Sequence, residues 1–222
     1  MNRAEEIASR ILGHYHHHHI QPSGDPFRSL IRIILSQNTG FRNERMAYEQ
    51  LEGSIGVTPQ TIAAASVEAL ERAIRPAGMF RVRGRTIRSV AEAVLRDYSG
   101  DIQPVLTKPY DEARLELMRL PGVGKKTADV LLMFDADKAV VPVDRHIDRI
   151  CKRLEIVPQR AGYDSIRTAL EAATDRSRYQ DLHVMMIRFG REICRAQRPK
   201  HDECFLNDLC PYPRKAESES QK

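Results

Sequence analysis

Apolar residues recur at intervals of three and four along almost the whole chain, and no stretch alternates apolar and polar residues as a half-buried strand would. The pattern predicts an all-α protein. A first helix is expected over about 2–13, with Ile7, Ile11 and Leu12 on one face. Asp25-Pro26 reads as a helix start, the carboxylate capping open N–H groups and the proline filling the first helical position. Leu30, Ile31, Ile33 and Ile34 spread around most of the helix that follows, 27–36, which implies central burial. Starts at Thr58-Pro59 and Ser66 precede short helices, Pro76-Ala77-Gly78 interrupts, and a long helix over about 82–98 presents Ile87, Val90, Ala91, Val94 and Leu95. Arg81, Arg83, Arg85 and Arg88 around its start are expected on a solvated face. Asp144 caps a helix bearing Ile147, Ile150, Cys151 and Leu154, with Cys151 read as a core residue. Two more helices are expected near 163–174 and 179–193, and the polar tail from Lys215 is expected to be disordered.

One stretch breaks the helical pattern in a specific way. Leu120-Pro121-Gly122-Val123-Gly124-Lys125-Lys126 lies between the helical 111–119, with Leu115 and Met118 on its stripe, and an apolar run through Ala128, Leu131 and Leu132. Two glycines flanking one valine suit a tight turn that needs positive φ or close approach to a partner. The backbone N–H groups opening the second helix would point into that turn and bind an anion such as a phosphate. The arrangement is a helix-hairpin-helix.

Composition narrows the picture only mildly. The chain has 222 residues and a formal charge of +5, which is compatible with a polyanionic partner. No run of about eighteen apolar residues suggests a membrane span, and the N-terminal residues lack a signal-peptide core, so a cytoplasmic monomer without membrane contact is expected. Cys194, Cys204 and Cys210 crowd the C-terminus, an arrangement better suited to a metal than to disulfides. The run from His14 to His19, interrupted by Tyr15, cannot all converge on one ion and reads as adventitious binding or a solvated linker.

Three features together resemble the endonuclease III family of DNA glycosylases: the hairpin, Val143-Asp144-Arg145-His146, and the ordered C-terminal spacing. The likeness runs from about Pro26 to Cys210. It implies two helical domains, a barrel at 23–136 and a discontinuous domain from 1–22 and 137–222, with the active site in the cleft between them. It also implies base excision repair on double-stranded DNA carrying a damaged base or abasic site. Lys126 falls at the family's catalytic lysine and Asp144 at its aspartate. A lysine amine that attacks the sugar C1′ releases the base and forms a Schiff base, from which β-elimination cuts the strand. A carboxylate stabilises the positive charge that develops on the sugar. Gln37 falls where the family fills the gap left by a flipped base. Lys125, Gly122 and Gly124 are assigned to the phosphate backbone, as are Arg195, Arg198 and Lys200. His146 is read as a structural hydrogen-bonding residue. Where family members commonly place an acidic residue soon after the glutamine, this chain has Gly40-Phe41-Arg42-Asn43.

At the C-terminus the family has four cysteines holding a [4Fe-4S] cluster across the loop 194–210. Here six residues lead from Cys194 to His201, two more to Cys204 and five more to Cys210, so the second ligand is histidine. A Cys₃His cluster is ranked first. Zinc and a vacant site are the alternatives. Within the superfamily, a monofunctional mismatch glycosylase using an Asp144-activated water is the competing activity. Outside it, a non-catalytic, redox-sensing DNA-binding module competes.

Overall fold

The computed structural model describes residues 2–16 and 19–212. His17, His18 and the expected disordered tail lie outside the described residues. Within them the chain is all-helical: α1 Arg3–His14, α2 Pro26–Ser36, α3 Phe41–Ser54, α4 Pro59–Ala64, α5 Val67–Ala73, α6 Phe80–Tyr98, α7 Gln103–Thr107, α8 Tyr110–Leu117, α9 Lys125–Asp135, α10 Arg145–Arg153, α11 Tyr163–Ala172 and α12 Tyr179–Glu192. None of the described helices is long and apolar enough to cross a membrane. The chain divides into two compact units, 21–138 and the discontinuous 1–20 with 139–222.

The continuous unit is built around α2. Its N-cap Asp25 accepts from the Arg28 amide, Pro26 fills the first position, and Leu30, Ile31, Ile34 and Leu35 are buried on most of its circumference. Helices α3 and α9 pack on it, while α4 and α5 pack on α6. Helix α3 carries no apolar stripe wide enough to announce it. Only Ala47 and Leu51 are buried apolar positions there, and the third buried residue is Glu44, whose carboxylate meets Arg32 Nε at 3.0 Å. On α8 the packed residues are Ala113 and Leu117, whereas Leu115, expected on the stripe, is exposed.

The discontinuous unit wraps α10 and α12 with α1. Ile7 and Ile11 of α1 join Ile147, Ile150, Cys151, Leu182, Met186 and Phe189 in one core. Asn2 caps α1 through a reciprocal pair with Glu5. Cys151 is fully buried and its thiol is pushed up by desolvation, as befits a packed, inert side chain.

Candidate nucleic-acid interface and metal loop

The hairpin is held by both of its helices. Asp129 on α9 has no solvent exposure, and its Oδ1 accepts from Arg114 Nε at 2.8 Å and from the Tyr110 hydroxyl at 2.8 Å. Arg114 Nη2 reaches Oδ2 at 3.3 Å, so the guanidinium grips the carboxylate at two points. That grip fixes α8 against α9. Between them the Val123 amide donates to the Leu120 carbonyl at 3.1 Å, and both side chains are buried.

The two glycines serve different ends. Gly122 has φ +73°, and a Cβ placed there would lie 2.5 Å from Thr86 Cγ2 of α6. Gly124 is extended, with nothing within 4 Å of an added Cβ, so its lack of a side chain leaves open space rather than relieving a contact. Gly122→Ala should destabilise the unit by about 1–3 kcal/mol through left-handed strain and overpacking. Adding Thr86→Ser removes the clashing methyl and should recover part of the loss in a denaturant titration. No recovery would show that the methyl contact is not the cause.

Gly124 caps α9 without a side chain, and the first turn holds no acidic residue. Lys125 is exposed and Lys126 half-buried on that turn. The positive end of the helix dipole and two lysines therefore act in the same sense, which favours an anion there. Thr127, next along, is buried, and its Oγ1 receives the Gln37 side-chain amide at 3.3 Å. The structure thus brings Gln37 to the opening turn of α9.

The Gln37 segment is clamped from below by a residue whose sequence context suggested a solvated face. Arg83 on α6 is only 5% exposed. Its guanidinium donates to the carbonyls of Gln37 and Ala77, and to that of Gly78 at 2.9 Å. Thr39 Oγ1 also donates to the Ala77 carbonyl, at 2.8 Å. Arg83 must be a donor to carbonyls because burial leaves no water to take its place, and desolvation lowers its pKa. Just beyond, Met79 has φ +49° and is 60% exposed. Nothing in the sequence signals this arginine, since a guanidinium among other arginines reads as surface.

Asp144 follows the connector 140–143 and belongs to the discontinuous unit. The Val141 amide donates to Glu171 Oε1 at 3.0 Å and the Val143 amide to the Tyr163 hydroxyl at 3.3 Å. His183, buried on α12, donates Nδ1–H to the Pro142 carbonyl at 2.8 Å, the only role a carbonyl partner allows. Asp144 Oδ1 accepts from the amides of His146 and Ile147 at 2.8 and 2.9 Å, which locks the side chain as the cap of α10. His146 Nδ1 faces Arg149 Nη2 at 3.1 Å. A guanidinium only donates, so the imidazole accepts there, and burial holds its pKa below the ordinary value. Gly190 is required beside it, because a Cβ there would stand 2.8 Å from His146 Cβ.

The C-terminal loop is pinned by four arginines. Arg149 donates to the carbonyls of Gly190 and Cys194, each at 2.8 Å. Arg153 donates to the Arg195 carbonyl at 2.6 Å and lies 3.6 Å from Cys194 Sγ. Arg3 donates to the Leu209 carbonyl, and Arg10 meets Asp208 at 2.8 Å. Burial pushes the Cys204 and Cys210 thiols up, and the nearness of Cys194 pushes each in the same direction. Three half-buried thiols in mutual electrostatic range on one loop form a donor set that suits an iron-sulfur cluster, which takes one ligand per iron. Among the described residues, no three His, Cys, Asp or Glu side chains converge as the ligands of a single ion would. His201 is half-buried, with its ring 6.0 Å from that of Tyr212. Arg195 and Arg198 are exposed, while Lys200 is engaged by Glu203 at 2.7 Å.

Residues 31–175 match the model of HhH-GPD superfamily base excision DNA repair proteins. Residues 194–210 match that of the iron-sulfur binding domain of endonuclease III. Endonuclease III of Thermotoga maritima is 33% identical over 211 residues, 95% of this chain and 93% of the relative. A solved structure of a trapped endonuclease III–DNA covalent intermediate is similar with a TM-score of 0.81 at 27% identity, covering 98% of this chain and 99% of the other. A thermostable thymine-DNA glycosylase shares the fold, with a TM-score of 0.77 at 21% identity over 96% and 97% of the two chains. Hairpin, iron-sulfur loop and likeness along nearly the whole length agree, and the chain belongs to the endonuclease III family of base excision DNA glycosylases.

Proposed function

We propose that the chain is a bifunctional glycosylase and AP lyase that removes oxidised pyrimidines from double-stranded DNA by extruding the base. The observation that carries this reading is Lys126 on the uncapped opening turn of α9, next to the Thr127 that Gln37 touches. The Lys126 amine forms a bond to C1′ as the glycosidic bond breaks, and the bonding pair leaves with the base, which takes up a proton. The sugar ring opens as a proton passes from nitrogen to the ring oxygen, leaving a Schiff base. Loss of a C2′ proton then expels the 3′ phosphate and cuts the strand. Asp144, held rigid by its cap bonds, supplies the carboxylate that stabilises positive charge on the sugar. Gln37 occupies the stack that the base has left. Gly122, Gly124 and Lys125 take the backbone phosphates of the duplex, and Arg195, Arg198 and Lys200 add a second basic contact.

Cys194, Cys204 and Cys210, with His201 as the fourth donor, would hold a [4Fe-4S] cluster. When bound it supplies covalent cross-linking of a loop that has little core of its own, and histidine ligation raises its reduction potential. Protein with its iron measured should be incubated with oxidised-pyrimidine duplex and borohydride. A covalent complex and a cleaved strand are expected. Base release that leaves an intact abasic site, with no trapped complex, would replace this reading by an Asp144-activated water.

A further inference from the structure

Phe41 opens α3 and is 69% exposed, more than the other exposed large apolar residues Ile20, Met46, Met79, Val82 and Leu115. An aromatic ring left in water contributes nothing to the core, and α3 packs without it. It is nevertheless presented from an ordered turn. The Thr39 amide donates to the Ser36 carbonyl at 3.1 Å, Thr39 Oγ1 is tied to Ala77, and Arg83 grips the Gln37 carbonyl. Asn38 between them is left-handed, at φ +54°. The same turn sends the Gln37 side chain to Thr127, beside Lys126. The exposed ring therefore stands four residues from Gln37, on the backbone segment that adjoins the opening of α9.

We propose that Phe41 is a stacking platform for the extruded base and selects for planar rings. This rests on the glycosylase and lyase reading above and narrows its substrate class. Stacking rewards a flat π-system and is worth about tenfold or more per base. A pyrimidine saturated at C5 and C6 is puckered, carries substituents out of plane, and forfeits most of that contact. Oxidised bases that keep their aromatic ring are thus preferred over those that have lost it.

The test compares single-turnover base release from duplexes carrying 5-hydroxycytosine, which is planar, and thymine glycol, which is saturated, together with borohydride trapping on a pre-formed abasic site. Phe41→Ala should slow release of 5-hydroxycytosine by at least about tenfold, the scale of one lost stack, and that of thymine glycol by less than about threefold. Phe41→Trp should keep the planar preference. Trapping at the abasic site should survive in Phe41→Ala, because no base remains there to stack. Equal losses on both lesions, or no loss on either, would overturn the platform. Wild-type protein that releases neither base and traps no abasic site would instead overturn the parent reading, and the platform with it.

Discussion

Replacing Lys126 with glutamine is expected to abolish borohydride trapping and to lower strand cleavage by at least about 10⁴-fold, the scale on which enzymes lose activity when a nucleophile is removed. Glutamine keeps much of the length and the hydrogen-bonding capacity of the side chain. Its amide nitrogen has no free electron pair, so it cannot attack C1′. The neighbouring Lys125→Gln provides the contrast. That side chain is exposed on the same turn, and its loss should weaken DNA binding and reduce the salt slope by about one counterion while trapping continues. Equal trapping by Lys126→Gln and wild type would remove Lys126 from the mechanism.

Asp129→Ala is expected to destabilise the continuous unit by about 3–5 kcal/mol, because it strands the Arg114 guanidinium, only 13% exposed, without its carboxylate. The Tyr110 hydroxyl loses the same acceptor. A shift of that size should appear as a fall of roughly 12–20 °C in the transition of that unit. Adding Arg114→Met should recover much of it, since replacing both partners by apolar groups removes the stranded charge. A single-variant loss under about 1 kcal/mol would show that the pair does not carry the hairpin's rigidity.

The helices that start with a clear cap were legible from residue types: Asp25-Pro26, Thr58-Pro59, Ser66 and Asp144 each open a helix where their chemistry says one should begin. Helix α3 was not, because its buried face consists of Ala47, Leu51 and a paired glutamate, and periodicity is read from large apolar residues. The hairpin's turn was legible in its glycines, yet its stiffness comes from Asp129 and Arg114, fifteen residues apart and each ordinary on a helix surface. The same holds for Arg83 and Arg149. An arginine that binds two carbonyls, as Arg149 does, or three, as Arg83 does, has no sequence mark distinguishing it from one that binds water. The proximity of Gln37 to α9 is likewise a product of packing between α2 and α9, which spacing along one chain cannot express.

The arginine latches on the metal loop have a consequence for the order of assembly. Arg3 reaches Leu154 and Leu209, which lie 151 and 206 residues away, and Arg10 reaches Asp208. Helix α1 thus emerges before the continuous unit and belongs to the unit that is completed after it. The continuous unit, 21–138, can close while synthesis continues. Through that interval the apolar face of Ile7 and Ile11 must wait uncovered, and a nascent chain halted at residue 138 would carry a finished hairpin and an orphaned first helix.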